Sequence, residues 1–305
     1  MSRFLVTGGK GFIGRNLAAY LNRQPDQHSV VVIGREFDLR ETARAAAAFK
    51  DSGTFDYIVH LADVQGDARW SAQNAATQFM ANVRITLNVL EAWQVWQPQA
   101  RLISLSSLWA FPESVVEAHE SDYWNGRMHK PTEHYGINKK ILGVGMEAFK
   151  RQHGLKGTSL VLGSVYGPGD STTHVIPSIL KRMQENPNLL EIWGDGTATR
   201  DFIFIEDQIN GILQHRDYDG ELLNIGTGTS YSIRQVVEIL ARLMDYKGKI
   251  VYDASKGGAV VNRSINVDLA RKTTGWPENF KLHTLEEGLI KTVNAFKTSN
   301  STLIN

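Results

Sequence analysis

The stretch VTGGKGFIG, residues 6–14, constrains this chain more than any other. It joins a short apolar run, FLV, to an amphipathic run, GRNLAAYLNR, so Gly8, Gly11 and Gly14 fall in the turn between a strand and a helix. Small residues there let the backbone approach a pyrophosphate, and the helix N-terminus offers N–H groups that lack intrahelical partners. A glycine triplet by itself reads as a tight βα turn; a strand before it and a helix after it are what dinucleotide binding requires. Gly8, Lys10, Gly11, Phe12, Ile13 and Gly14 are therefore expected to surround a dinucleotide.

The first half continues in the same rhythm. SVVVIG, FDYIVHLA, ARLISLSS and GTSLVLGSV read as strands, and between them ETARAAAAFKDSG, ATQFMANVRITLNVLEAWQVW and HYGINKKILGVGMEAFKRQHG read as helices. Strand and helix in alternation predict a parallel sheet covered on both faces. Beyond about residue 166 the rhythm loosens into turns (YGPGD, NPN, GDGT, GTGT), with ELLNIGTG the best candidate to rejoin the sheet. With 305 residues there is material for one large α/β domain or two packed ones.

Charge and cysteine content narrow the function classes. Lys plus Arg is 33 against 32 for Asp plus Glu, a formal charge of +1, so no basic face for nucleic acid is implied. The absence of cysteine excludes disulfides, thiolate nucleophiles and Cys-ligated metals, and no metal site is expected. It also fits a reducing compartment. The first apolar run is too short for a signal-peptide core and no run of about 20 apolar residues occurs, so the expectation is a cytoplasmic protein with no membrane partner.

The end of the second strand bears on the choice of dinucleotide. An acidic residue there would grip the ribose 2′-hydroxyl of NAD; the place is held by Gly34, followed by Arg35. Arginine pairs with a 2′-phosphate, and Lys10 adds a second positive charge, so NADP(H) is favoured. NAD(H) is the alternative, with Glu36 on the ribose and Arg35 in solvent. Asp38 and Leu39, in FDLR, are placed to flank the adenine.

A tyrosine precedes a lysine by four residues twice, at Tyr135 and Lys139 in EHYGINKK and at Tyr252 and Lys256 in YDASK. Spacing alone does not choose between them. The glycine-rich start, the strand ending SLSS and the helix carrying Tyr135 and Lys139 together resemble the extended short-chain dehydrogenase/reductases. The resemblance covers nearly the whole length and includes VHLAD, GSVYGPG, GDGTATRDFIFIEDQINGI, LLNIGTGTSYSI and TGWPENFKLHTLEEGLIKTV, which mark the branch that modifies nucleotide sugars.

The resemblance implies a Rossmann-type doubly wound parallel sheet with a smaller C-terminal α/β substrate domain. The expected division is residues 1–165 for NADP, with 203–230 returning to that domain, and 166–305 for the nucleotide sugar. It makes Tyr135 the acid/base and gives Lys139 two tasks: to hold the nicotinamide ribose and to lower the tyrosine pKa from about 10 towards neutrality. It places Leu61 and Ala62 at the cofactor and Ser107 on the reacting oxygen, Phe111 standing where the family has the tyrosine four residues after that serine. Ser106 is the fallback.

At the substrate end the resemblance gives Arg200 and Arg263 to the diphosphate and sets Trp193 near the base or sugar, with core packing as the plainer reading of Trp193. STTHVIPSILKRM resembles the GDP-fucose synthases, dual epimerase-reductases in which the histidine before VIP protonates the sugar; by carry-over that is His174, with Val175 and Arg182 beside it. Those enzymes use a cysteine as base two positions after the serine. Here Trp109 occupies that position and a tryptophan cannot be a base, so the double epimerisation is in doubt.

The expected activity is NADP-dependent reduction, with or without epimerisation, of a nucleotide-linked 4-keto-6-deoxy sugar. An NAD-dependent 4-epimerase is the first rival. A 4,6-dehydratase lacks its Asp-Glu pair, because Leu108 and Trp109 follow Ser107. A non-catalytic dinucleotide-binding scaffold is the rival of another class, and such proteins tend to lose the tyrosine or the lysine. Two long helices, 76–96 and 134–153, are by resemblance a homodimer interface; Phe79, Val83, Leu87 and Leu90 repeat at helical spacing on the first.

Overall fold

Phe4, Leu5 and Val6 are all fully buried, as residues on both faces of a strand are when helices cover the sheet on each side. They belong to β1 (Ser2–Thr7) of a computed structural model that describes residues 1–24, 28–66, 68–171, 173–256 and 262–301. The other strands are β2 (His28–Ile33), β3 (Tyr57–His60), β4 (Arg101–Ser107), β5 (Glu117–Ala118), β6 (Gly157–Leu162), β7 (Ser164–Tyr166), β8 (Leu189–Trp193), β9 (Thr199–Phe204), β10 (Leu222–Ile225), β11 (Ser230–Ser232), β12 (Lys249–Asp253) and β13 (Ser264–Ile265). The helices are α1 (Phe12–Asn22), α2 (Thr42–Lys50), α3 (Ala68–Gln73), α4 (Ala75–Trp96), α5 (Glu133–His153), α6 (Val175–Glu185), α7 (Ile205–Gln214), α8 (Ile233–Met244), α9 (Asp268–Thr274) and α10 (Leu285–Ser301).

The chain divides into two compact units. The first comprises residues 1–114, 120–162 and 209–225. Among the described residues it holds one sheet, in the order β2-β1-β3-β4-β6-β10, with every pairing parallel. The order reverses between β1 and β3, which opens a crevice at the carboxyl ends of those two strands. Leu5, Phe49, Ile58, Val89, Trp93, Leu102 and Met146 form one apolar core between the sheet and α2, α4 and α5. The Trp93 indole N–H in that core donates to the Ala100 carbonyl at 2.8 Å, so the ring is buried without an orphaned donor.

The second unit comprises residues 115–119, 163–208 and 226–305. It contains a three-stranded sheet, β11-β9-β7, and two strand pairs, β12-β8 and β13-β5. The expected division at 165 leaves out the excursion of 115–119, which joins this unit because β5 pairs with β13. Two-residue strands carry no periodicity that a sequence could display. α8 begins with a reciprocal capping box between Ser232 and Gln235. Asp201, fully buried, accepts from the Thr227 amide and hydroxyl and from the Gly228 amide; burial pushes its pKa up to about 6. Among the described residues no helix is long and apolar enough to cross a membrane.

Candidate active site

The crevice of the first unit is shaped by glycine where β1 ends. Gly8 has φ of +65°, and a Cβ built on it would lie 2.6 Å from the Ala62 amide nitrogen. A Cβ on Gly14 would lie 2.5 Å from the Gly8 carbonyl oxygen. These positions hold the β1–α1 turn against the end of β3 and leave a backbone-lined cradle. α1 starts at Phe12 and Ile13 with Gly11 as N-cap and no acidic residue in its first turn, so its free N–H groups suit an anion. The cradle and the uncapped helix end fit a dinucleotide pyrophosphate.

Beneath the cradle Thr7 ties the strands together. Its hydroxyl accepts from the amides of Leu61 at 3.2 Å and Ala62 at 3.3 Å, and lies 2.7 Å from His60 Nδ1. Burial, and secondarily the charge of Lys139, push the His60 pKa down to about 3, so the imidazole that shares a hydrogen bond with Thr7 is neutral.

The adenosine end differs in detail from expectation. Arg35 is exposed, and Lys10 pairs with Glu36 at 2.7 Å, while Gly34 N–H donates to the same carboxylate at 3.0 Å. Lys10 thus holds Glu36 at the tip of β2 instead of adding an unopposed positive charge. Asp38 pairs with Arg40 at 2.6 Å. The Leu39 side chain joins the apolar core, because the chain turns inward there and Asn88 holds the Leu39 carbonyl.

Tyr135 and Lys139 share one face of α5, as residues four apart on a helix do, with the Lys139 ammonium 5.3 Å from the Tyr135 ring centroid. Ser107 closes β4 and acts on the Tyr135 phenol, whose pKa it lowers. Strand alternation turns Ser104 and Ser106 the other way: Ser104 bonds Ser159 at 2.8 Å and Ser106 bonds the Tyr123 hydroxyl at 2.8 Å. The next lysine, Lys140, points away too, donating to the Tyr123 carbonyl under the rings of Tyr123 and Trp124.

An acid that the sequence reading passed over completes the group. Asp63, in the loop after β3, pairs with Lys139 at 2.7 Å, and the two side chains are only 15% and 16% exposed. The loop is pinned from α4: Asn82 accepts from the Val64 amide at 2.7 Å, and Gln78 and Asn82 donate to the Val64 carbonyl. Gln78 in turn bonds His134, the neighbour of Tyr135, at 2.7 Å. Burial pulls the Lys139 pKa down, but Asp63 and then Tyr135 outweigh it and leave it raised. The Tyr135 pKa is also raised, by burial first and by Asp63, against the pull of Lys139 and Ser107. The expected lowering by Lys139 is present but is overridden, first by burial and then by Asp63, which opposes the same charge.

Trp109 lies in a 3-10 turn, Leu108–Ala110, directly after Ser107, and its indole is 5.9 Å from the His129 ring. His129 Nδ1 is 2.5 Å from Glu113, an imidazole–carboxylate pair that no spacing announced. α5 lies directly on this turn: a Cβ on Gly136 would be 2.6 Å from the Trp109 carbonyl oxygen.

The remaining predicted residues lie in the second unit. His174 is the N-cap residue of α6, and its Nδ1 is 2.6 Å from Asp170, which raises the imidazole pKa against the effect of burial. Val175 is exposed beside it. Arg200 and Arg263 form a backbone bridge between neighbouring segments, with Arg263 N–H donating to the Thr199 carbonyl at 3.2 Å. Burial, and then the charge of Arg263, push the Arg200 pKa down to about 10. Two cations that close make this end of β9 suited to an anion. Trp193 is 66% exposed, which excludes core packing. Arg182 crosslinks its own unit, donating to the carbonyls of Ser178 at 3.3 Å and Glu191 at 2.7 Å, so its fork is turned to structure. Among the described residues no group of three or more His, Asp or Glu could hold a metal.

The profile of the NAD dependent epimerase/dehydratase family matches residues 4–226. The chain is 27% identical over 315 residues to a GDP-L-fucose synthase of Escherichia coli (strain K12), covering 96% of each. It superposes on a GDP-mannoheptose C4 reductase from Campylobacter jejuni with NADP bound (TM-score 0.86, 22% identity, 97% of this chain and 98% of that one). It superposes also on a UDP-glucose 4-epimerase from Thermotoga maritima (TM-score 0.82, 26% identity, 98% and 99%).

Proposed function

Starting from the chain's membership of the NAD dependent epimerase/dehydratase family, we propose that it reduces the keto group of a nucleotide-linked 4-keto-6-deoxy sugar, with NADP(H) as cofactor. The observation that carries this is the grouping of Ser107, Tyr135 and Lys139 at the carboxyl end of the sheet, beside a glycine cradle that fits a dinucleotide.

The dinucleotide, when bound, supplies the hydride. The side chains do the rest. The raised pKa of Tyr135 keeps its phenol protonated at neutral pH, so the hydroxyl can give its proton to the ketone oxygen as that oxygen gains charge. Ser107 donates to the same oxygen and holds it in line. Lys139 orients the ribose through its ammonium. Arg200 and Arg263 take the diphosphate, and His174, held by Asp170 in a form that favours the cation, donates to the sugar. Trp109 leaves the position after the serine without a base, which favours reduction without double epimerisation.

NADP fits a second strand followed directly by Gly34 and Arg35, and a similar protein carries NADP. Glu36 is the one observation favouring the NAD-dependent 4-epimerase, because its carboxylate sits at the tip of β2 where a ribose would lie. We place the enzyme in the cytoplasm on its cysteine-free composition, and as a homodimer through α4 and α5, on which Met80, Leu87 and Val144 stand exposed. Leu90, from the same apolar repeat, instead packs in the core.

The test is native mass spectrometry followed by NADPH oxidation with GDP-4-keto-6-deoxymannose. A protein that arrives empty and consumes NADPH supports the reductase, and deuterium uptake at C3 or C5 reports on epimerisation. A protein that arrives with NAD(H) and leaves NADPH untouched overturns it in favour of the 4-epimerase.

A further inference from the structure

Resting on the reading of Tyr135 as the acid, we infer that Asp63 is a positioning residue that anchors Lys139 and offsets its charge, holding the Tyr135 phenol in the protonated form that ketone reduction needs. The geometry is specific. The Asp63 carboxylate contacts the Lys139 ammonium at 2.7 Å in a largely buried pair, and that ammonium is the cation 5.3 Å from the Tyr135 ring. The loop that carries Asp63 is fixed on both sides of Val64 by Asn82 and Gln78, and Gln78 also holds His134 next to Tyr135. The carboxylate is therefore held in place by the helix that carries the lysine and by the one packed beside it.

The charged and titratable groups around Tyr135 are few. α5 contributes Lys139, the β3–α4 loop contributes Asp63, β3 contributes His60, and Tyr123 faces from the segment before α5. His60 is neutral and Tyr123, pushed up to about 12, is a neutral phenol, so Lys139 and Asp63 are the two formal charges that act on Tyr135. A lysine alone stabilises the tyrosinate; a lysine paired with a carboxylate does so far less. The distinction is chemical. An epimerase that first oxidises its sugar must begin from the tyrosinate, which takes up the hydroxyl proton, whereas a reductase must begin from the phenol, which gives one away. With burial already favouring the phenol, Asp63 offsets the opposing charge of Lys139 and so keeps the resting site on the reductase side.

Tyrosinate absorbance near 295 nm tests this without a substrate. The chain has nine tyrosines, and subtraction of the Tyr135→Phe curve isolates the one of interest. In Asp63→Asn the Tyr135 step moves to lower pH by about one to two units, the size expected when one charge several ångströms away is removed from a poorly solvated site. Asp63→Glu keeps the charge and stays near wild type. In turnover, the alkaline limb of the reductive kcat moves down with the same step. Asp63→Ser is a second charge-removing variant should the asparagine protein fail to fold. A folded Asp63→Asn or Asp63→Ser protein whose Tyr135 step and alkaline limb do not move overturns the inference, as does a Tyr135 step absent from wild type and variant alike. Failure of the underlying reading looks different: Tyr135→Phe would keep its turnover, whatever Asp63 does to the absorbance.

Discussion

Tyr135 and Lys139 stand four residues apart, and so do Tyr252 and Lys256, yet the two pairs share nothing beyond that number. The first pair is on one helix, where a separation of four stacks side chains on one face, and the ammonium comes within 5.3 Å of the ring. The second begins in strand β12 and ends in a 3-10 turn, Ala254–Lys256. There the ammonium goes to Glu191 at 2.8 Å and the tyrosine ring lies under Arg234 at 3.9 Å. The comparison shows that spacing becomes chemistry only when the backbone converts it into contact, and when burial makes that contact matter.

The comparison can be broken most directly by removing each phenol. Tyr135→Phe should lower kcat by about 10²–10⁴-fold with dinucleotide affinity kept, whereas Tyr252→Phe should leave kcat within about twofold. Equal losses in steady-state assays would erase the distinction. The serines sharpen it next. Ser107→Ala should cost about 10²–10³-fold in kcat, and Ser106→Ala, which loses only its bond to Tyr123, should leave most of the rate.

Acid titration gives a smaller effect that depends on the same lysine. His60 has a folded pKa of about 3 against 6.5 unfolded. Between those values the unfolded chain binds the extra proton, so stability is complete above pH 6.5 and falls as pH drops towards 3. Lys139→Met should raise the His60 titration measured by NMR by up to about one unit, since the lysine charge contributes to the depression after burial. Lys256→Met should not move it. The smallest effect is on melting: Lys256→Ala, a surface pair with Glu191 and Asp253, should shift Tm by less than about 2 °C.

Much of the site was legible because it rests on local rules. The glycine turn, the strand ending at Ser107 and the helix bearing Tyr135 and Lys139 each follow from neighbours within a few residues. Other contacts were not legible. Asp63, Glu113 and Asp170 are single acids in loops, and in sequence they look like any solvated carboxylate until the fold brings Lys139, His129 and His174 to them. Leu39 and Arg182 failed in the opposite sense. Each was read as facing a ligand, and the fold turned one into the core and the other onto backbone carbonyls.

The sequence by itself determined the alternation that makes the parallel sheet, the glycines of the cradle and the face of α5 that carries the tyrosine and lysine, because hydrophobic period, steric freedom and helical repeat act within one element. Only the tertiary structure decided that residues 115–119 join the second unit, that Arg200 and Arg263 become neighbours 63 positions apart in the chain, and that Lys139 meets an acid 76 positions before it. Those outcomes rest on distances between elements, and a charge's effect on its neighbour depends on how far apart they are in space and how little water lies between them.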